Sequence, residues 1–462
     1  MLSGCAVPEP EPIDPAAVAA KFASGSLSDP GLLAYLEAHR PRSGLPGVPA
    51  SWDLPALTLV AFYYHPELDV ARSRLELAQA AELTAGARPN PQIGAGLQRN
   101  FDILRGVSPW TYAFDFTLPV ELGGKRRYRR ARALHLSEAA HLELAATGWR
   151  VRSHLRAALV EHLLAAQERE VLRAEGAARS RALTLMEERL AAGAVSQPDV
   201  DAARLEVART RLGSLGAEAR AEESRLQLAA SLGLPPGALE GINLAWPDLD
   251  RPPGQVALSP ANALNVALAN RLDVRRALVE YAAAEAAFRL EAAKRWPDLN
   301  WDPGYTWEEG ERKLSLGISL TVPLFNQNQG PIAEAAARCR EIAAGFQTLQ
   351  AAVSNEIAVA MARLRSTHRE LEEAEQLLTL SESAMRATQR AVEVGQEDQL
   401  ALVGRQVETV VVVRARLAAL RKVQAALGAL EDAVERPLAP ADAAPDVTPW
   451  SPRGTKQEEE AP

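Results

Sequence analysis

The sequence predicts a mainly α-helical fold with a β-barrel contribution, in which one programme of helix, strand hairpin and long helical hairpin runs twice. Three observations carry this prediction. Leu314, Leu316, Ile318, Leu320 and Val322 alternate with Ser315, Gly317, Ser319 and Thr321 up to Pro323, the period of two of a strand with one apolar face. The pattern recurs 204 residues earlier, where Tyr112, Phe114, Phe116 and Leu118 alternate with Ala113, Asp115 and Thr117 up to Pro119. Each run is followed by a stretch of about seventy residues dominated by Ala, Leu, Arg and Glu and nearly free of helix breakers. Proline cannot donate a ladder hydrogen bond, and its φ suits a first helical turn. Pro119 and Pro323 are therefore expected where strand hands over to helix.

In chain order, residues 1–51 read as a Pro-, Ala- and Gly-rich arm with one helical patch near Leu32–Leu36. Residues 52–240 form the first repeat. Leu54, Leu57, Ala61, Leu68, Ala71 and Leu75 recur at helical spacing until Pro89 and Pro91, which end the helix. Strands are expected over about 91–100 and 109–118, as a hairpin. A single helix from about Arg126 to Ala192 would be about 100 Å long at 1.5 Å per residue, a length that implies a coiled-coil-like assembly. Gly193 and Ser196 mark its reversal, with Ser196 as cap and Pro198 in the first turn of the returning helix. A Pro-rich connector, 241–260, leads to the second repeat, 261–436. There Leu272-Asp273-Val274 echoes Leu68-Asp69-Val70, Trp296-Pro297 stands where Pro91 stood, and strands are expected over about 298–307 and 313–322. A tight turn at Glu309-Gly310 joins those strands. The second reversal falls at Gly395-Gln396-Glu397-Asp398, and the tail 437–462 reads as disordered.

Composition removes several classes. The formal net charge of −8 and the absence of a basic run leave no electrostatic footprint for nucleic acid. No window of eighteen apolar residues offers a transmembrane helix, so a membrane role has to use strands. Gly123-Gly124-Lys125 lacks the first glycine and the Ser or Thr of a phosphate loop, its places being taken by Pro119 and Arg126. There is no His-Glu-x-x-His and no Gly-x-Ser-x-Gly, and His135 and His141 stand about 240° apart round a helix. The expectation is a protein that is not an enzyme and needs neither metal nor cofactor. Cys339 is expected to be a small core residue. Cys5 closes Leu2-Ser3-Gly4-Cys5, which resembles the lipobox of bacterial lipoproteins and makes Cys5 the lipidation candidate. Only four residues precede it, too few for a signal segment, so this reading requires a start upstream of Met1.

Nine of the 23 aromatic residues lie within 101–116 and 296–307, the clustering expected where strands cross a bilayer. Strands of about ten residues are long enough to cross when tilted. Four strands cannot close, however, and an open edge in lipid leaves amides unpaired. Three chains, giving twelve strands, make the smallest odd ring that leaves a pore. Ile318 is then expected on the lipid face at the bilayer midplane and Ser319 on the lumen.

The residues that follow the strands, Leu118-Pro119-Val120-Glu121-Leu122-Gly123-Gly124-Lys125-Arg126 and Thr321-Val322-Pro323-Leu324-Phe325, together with the reversals at Arg189–Ser196 and Glu393-Val394-Gly395, resemble the TolC family of outer-membrane channels. The resemblance covers about residues 52–436. It implies a homotrimer with a twelve-stranded barrel in outer-membrane lipid above a coiled-coil helical tunnel in the periplasm. It further implies an exit duct for tripartite efflux, docked by a periplasmic adaptor (a membrane fusion protein) and an inner-membrane pump, with heavy-metal cations or drugs as cargo. Pro91, Pro119, Pro297 and Pro323 become the barrel–helix junctions, and Gly193, Ser196, Asp199, Gly395, Glu397 and Asp398 the periplasmic tip. The family commonly has an acid six residues after the second reversal's glycine; here that place is Ala401, whereas Asp199 fills the corresponding place at the first. Brought together in a ring, these carboxylates are expected to favour cations and to raise one another's pKa. The alternatives are a type I secretion duct and a soluble periplasmic adaptor, the latter separated from a channel by whether the protein needs detergent.

Overall fold

The computed structural model describes residues 12–39, 51–101, 106, 108–246, 249–253 and 260–438. Cys5 and the tail from 439 onward lie outside them. The arm carries two helices, α1 (Pro15–Ala23) and α2 (Pro30–His39), where the sequence reading expected one. The first repeat comprises α3 (Leu54–Tyr64), α4 (Pro66–Gly86), β1 (Gln92–Arg99), β2 (Trp110–Val120), α5 (Lys125–Ala191) and α6 (Gln197–Leu232). The second comprises α7 (Pro260–Asn270), α8 (Leu272–Ala293), β3 (Leu299–Glu308), β4 (Glu311–Leu320), α9 (Gln329–Glu393) and α10 (Gln399–Val434). The duplication is close in length: α5 and α9 have 67 and 65 residues, and α6 and α10 have 36 each. Among the described residues no helix is long and apolar enough to cross a membrane.

The described residues fall into two compact units, one drawn from 1–69, 147–270 and 353–462, the other from 70–146 and 271–352. In the first, α3 is apolar on every side and eight of its residues are buried, as a helix at the centre of a bundle should be. Asp53 caps it by accepting from the Ala56 amide at 2.9 Å, and the chain before it pairs with the connector through Trp52 and Leu244. Leu155, Leu159 and Leu164 from α5, Leu228 and Leu232 from α6, and Leu420 and Val423 from α10 complete the core. Within it sits an ionic node. Glu431 Oε2 lies 3.5 Å from Arg152 Nη1 and 3.3 Å from Arg156 Nε, while Arg156 also donates to the Gln424 carbonyl at 3.0 Å. Arg152 stacks on Trp149, and Arg156 stacks on Trp246 of the connector.

In the second unit the four strands form one antiparallel sheet in the order β1-β2-β3-β4. Glu309 and Gly310 both have positive φ, 54° and 89°, which is the two-residue turn whose twist suits a hairpin. The β2–β3 register skips the positions opposite Asp302 and Pro303, consistent with the missing amide of a proline. Two expectations are corrected here. Pro119 does not open a helix; it lies inside β2, opposite Asn300, and α5 begins at Lys125 after Gly123 and Gly124 turn the chain with φ of 71° and 75°. Pro323 likewise sits in the loop between β4 and α9, where Asn328 (φ 64°) makes the turn. Asn328 is held there by donating to the Glu291 carbonyl at 2.8 Å. Pro91 immediately precedes β1 and Pro297 stands two residues before β3, where proline costs no ladder bond. Cys339 is half-buried on α9, where the described residues leave its face only partly covered.

Candidate membrane face and helix reversals

The sheet divides its residues by chemistry. Ile93 pairs with Phe116, Ala95 with Phe114, and Leu97 with Tyr112; Tyr112 pairs with Trp307, Phe114 with Tyr305, and Leu118 with Trp301; Trp301 pairs with Ile318, and Tyr305 with Leu314. Because paired residues share a face, every large apolar side chain of the four strands lies on one side. None of the described residues covers that side, and Leu314, Leu316 and Ile318 are 77%, 72% and 68% exposed. An uncovered apolar face this large marks a surface made for another molecule or for lipid. The two edges, β1 and β4, have no strand partner among the described residues.

The opposite face carries Thr, Ser and Gly, with Asp115 on β2 and Asp302 on β3 along its length and Glu308, Glu311 and Lys313 at the β3–β4 turn. Asp115 stands between Gly94 and Gly304, and Asp302 is opposite Gly317. Ser319 donates to Asp302 Oδ2 at 2.8 Å. Sequence reasoning placed these acids on strands without weighing them as functional. The signal was present: each is an acid at a polar position of an alternating strand.

The reversals lie in the first unit. At the first, Gly193 (φ 70°) lets the Ala194 amide reach back to the Arg189 carbonyl at 2.8 Å, closing the helix end with a left-handed residue. Ser196 then starts α6, its backbone amide donating to Asp199 Oδ2 at 3.0 Å and its hydroxyl to the same oxygen at 2.5 Å. The second reversal repeats the geometry: Gly395 has φ 74°, and the Gln396 amide reaches the Ala391 carbonyl at 2.8 Å. Asp398 caps α10 by accepting from the Ala401 amide at 2.8 Å. No atom lies near the Cβ that either glycine lacks, so it is the left-handed backbone, and not space, that calls for glycine at these two sites.

Arg189, in the last turn of α5, donates to Asp398 Oδ2 at 2.5 Å and so ties one hairpin to the other. Arg204 of α6 bridges to Glu187 of α5 at 2.8 Å. Glu397 is exposed, and its carboxylate has no ion-pair or hydrogen-bond partner among the described residues. Within one chain two of these acids shift downward, while the mutual raising is expected of a ring made by several copies. The Ser196 hydroxyl and amide hold Asp199 below the ordinary carboxylate range. Arg189 and then the Ala401 amide do the same for Asp398. Hydrogen bonds to the charged form account for both shifts. Sequence reasoning missed Arg189 as a partner because its target is 209 positions away; the available signal was a cation in the last turn of a helix, where the macrodipole favours it.

The family model described as outer membrane efflux protein matches residues 60–234 and 263–434. Among curated proteins, the cobalt-zinc-cadmium resistance protein CzcC of Cupriavidus metallidurans is 29% identical over 270 residues, which cover 57% of this chain and 61% of the relative. The match thus spans less than two thirds of that relative's length. Among solved structures, the outer membrane protein VceC of Vibrio cholerae has a TM-score of 0.67 at 20% identity, covering 84% of this chain and 97% of VceC. The open state of the MtrE outer membrane channel of Neisseria gonorrhoeae has a TM-score of 0.66 at 18% identity, covering 83% of this chain and 89% of MtrE. Two matched blocks take in both repeats and most of the chain, and the fold is shared with outer-membrane channels: the chain belongs to the outer membrane efflux protein family.

Proposed function

We propose that three copies of this chain close a twelve-stranded barrel in the outer membrane and act as the exit duct of a tripartite efflux system. The observation that carries this reading is the sheet itself, with its uncovered apolar face and two unpaired edges. Lipid contains nothing to satisfy an open edge, so β1 of one chain pairing with β4 of the next removes both problems at once. The polar face then lines the lumen, where Asp115 and Asp302 occur three times each. Carboxylate rings are a usual source of cation preference in pores. The paired reversals, with Gly193, Ser196, Asp199, Gly395, Glu397 and Asp398, form the periplasmic end that meets the adaptor and, through it, the inner-membrane pump. Arg189 and Asp398 hold the two hairpins of a chain together there. Divalent metal cations are the cargo this reading favours, supported by the lumenal carboxylates and by the likeness to a cobalt-zinc-cadmium resistance protein. Passage through such a duct requires no catalytic group.

Planar-bilayer recording tests this function. The wild-type protein should conduct and give a cation-selective reversal potential in a KCl gradient, and Asp115→Asn with Asp302→Asn should move that potential toward zero. A correctly inserted protein that shows no conductance, even with Asp398→Ala, would end the duct reading.

A further inference from the structure

The net charge of −8 conceals one dense run of cations, Lys125-Arg126-Arg127-Tyr128-Arg129-Arg130, which corrects the reading that the chain has no basic run. It opens α5, immediately past the sheet. Three of its members have structural partners. Lys125 donates to Asp298 at 2.7 Å; Arg129 pairs with Glu121 at 2.7 Å and donates to the Ala85 carbonyl at 2.9 Å; Arg126 Nε donates to the Gly86 carbonyl, the end of α4, at 2.6 Å. Arg127 and Arg130 have no carboxylate partner among the described residues. Arg127 is held instead by Tyr128, over whose ring its guanidinium lies at 4.9 Å. Arg126, Arg127 and Arg130 line an open groove of about 540 Å³ between α4 and α5, with Leu83, Leu134 and the single carboxylate of Glu82. Leu83 and Leu134 are both exposed. The groove is therefore apolar along part of its wall and strongly positive along the rest.

Its position narrows what can fill it. Exposed apolar residues, Val120, Leu122, Val322, Leu324 and Phe325, cluster in sequence around the same end of the sheet. The first turns of α5, from Lys125 to Arg130, rise about 7.5 Å at 1.5 Å per residue. A bilayer's polar layer is about 5–7 Å deep on each side of its hydrocarbon core. If the sheet crosses the membrane, the arginines stand at head-group depth. We propose that this groove binds the head group of an anionic phospholipid of the periplasmic leaflet, with the guanidiniums of Arg126, Arg127 and Arg130 on its phosphate and its acyl chains directed toward the exposed apolar end of the sheet at Val120 and Leu122. The proposal rests on the membrane reading of the sheet. Positive charge without carboxylate partners matches a phosphate, guanidinium forks recognise phosphate oxygens in pairs, and the exposed apolar residues at the end of the sheet match the chains that a free anion lacks.

Native mass spectrometry of the delipidated protein in detergent tests this, with phosphatidylglycerol as probe and phosphatidylcholine and inorganic phosphate as comparisons. Phosphatidylglycerol should bind in preference to both. Arg127→Gln with Arg130→Gln should weaken that binding by about fivefold per arginine, or about 25-fold together, while Arg127→Lys with Arg130→Lys should keep most of it. Bilayer conductance of both variants, measured alongside, should match the wild type. That separates the two claims: unchanged conductance with unchanged lipid affinity overturns the head-group site alone, whereas absent wild-type conductance overturns the channel reading. Equal competition by inorganic phosphate would reduce the groove to a free-anion site. Loss of the oligomer in the Gln variants would assign it to a second copy of the chain. Either result refutes the lipid proposal.

Discussion

An arginine on the apolar face of β4 measures where that face sits in the membrane. The strand runs from Glu311 to Leu320, so its midpoint lies beside Leu316, and not at Ile318 as alternation alone had placed it. Two residues of strand advance about 6.8 Å, or about 5 Å along the normal at a tilt of 45°, against a half-thickness of about 15 Å. Leu316→Arg should thus cost about 2–4 kcal/mol per chain, the value for a charge at the midplane, and Ile318→Arg distinctly less. At about 3 kcal/mol the balance between assembled and unassembled protein shifts by roughly a hundredfold for a single chain, and every copy in a closed ring carries the change. Ser319→Arg lies on the other face, where Ser319 already contacts Asp302 at 2.8 Å, and a carboxylate awaits the guanidinium. The assay is the fraction of protein recovered as a heat-resistant oligomer from outer membranes. Leu316→Arg should abolish that fraction, Ile318→Arg should reduce it, and Ser319→Arg should leave it near wild type. Normal assembly of Leu316→Arg with failure of Ser319→Arg would mean the faces are inverted.

Other residues give further expectations. Asp398→Ala removes the partner of Arg189 and should raise single-channel conductance at neutral pH; because Arg189 depresses the Asp398 pKa, the wild-type contact is present above the unfolded value of about 3.9 and is lost as pH falls through the lower folded value. Wild-type conductance should then be flat from about pH 8 to 5 and rise only below about pH 4, and a rise already at pH 6 would assign the closure to other groups. Glu431→Ala removes the Glu431 carboxylate from beside Arg152 and Arg156, which are 1% and 4% exposed, and should destabilise the protein by about 3–5 kcal/mol; denaturant unfolding checks this, and a loss under about 1 kcal/mol would show that the arginines' remaining contacts suffice. Mass spectrometry of protein from native outer membranes should find an acylated N-terminal Cys5, and Cys5→Ser should weaken anchoring without preventing barrel insertion; an unmodified peptide reaching from Met1 through Cys5 would disprove the lipid.

The fold was legible because its signals are local and repeated. Period-two alternation from Leu314 to Leu320 and from Tyr112 to Leu118, breaker-poor runs after each, and glycines at 193 and 395 each report on a few neighbouring residues. The joints were less legible. Proline advertises a helix start, yet the turns are made by Gly123, Gly124 and Asn328, whose left-handed conformations are visible only once the sheet and helices are in place. Contacts between distant positions were not legible at all. Nothing near Arg189 names Asp398, and nothing near Arg152 or Arg156 names Glu431 or Trp246. Asp115 and Asp302 were in plain view on the polar side of their strands, but a lumen gives them meaning only when several chains share it. The cations from Lys125 to Arg130 were masked by a net negative chain.

Closure of the barrel by several chains is the claim on which the rest depends, and native mass spectrometry of the detergent-extracted complex tests it most directly. Each chain supplies four strands, so the account predicts a complex of three chains that stays intact through detergent exchange and falls apart when Leu316→Arg is introduced. A wild-type protein that remains a folded monomer with its sheet edges open, in detergent or without it, would contradict it.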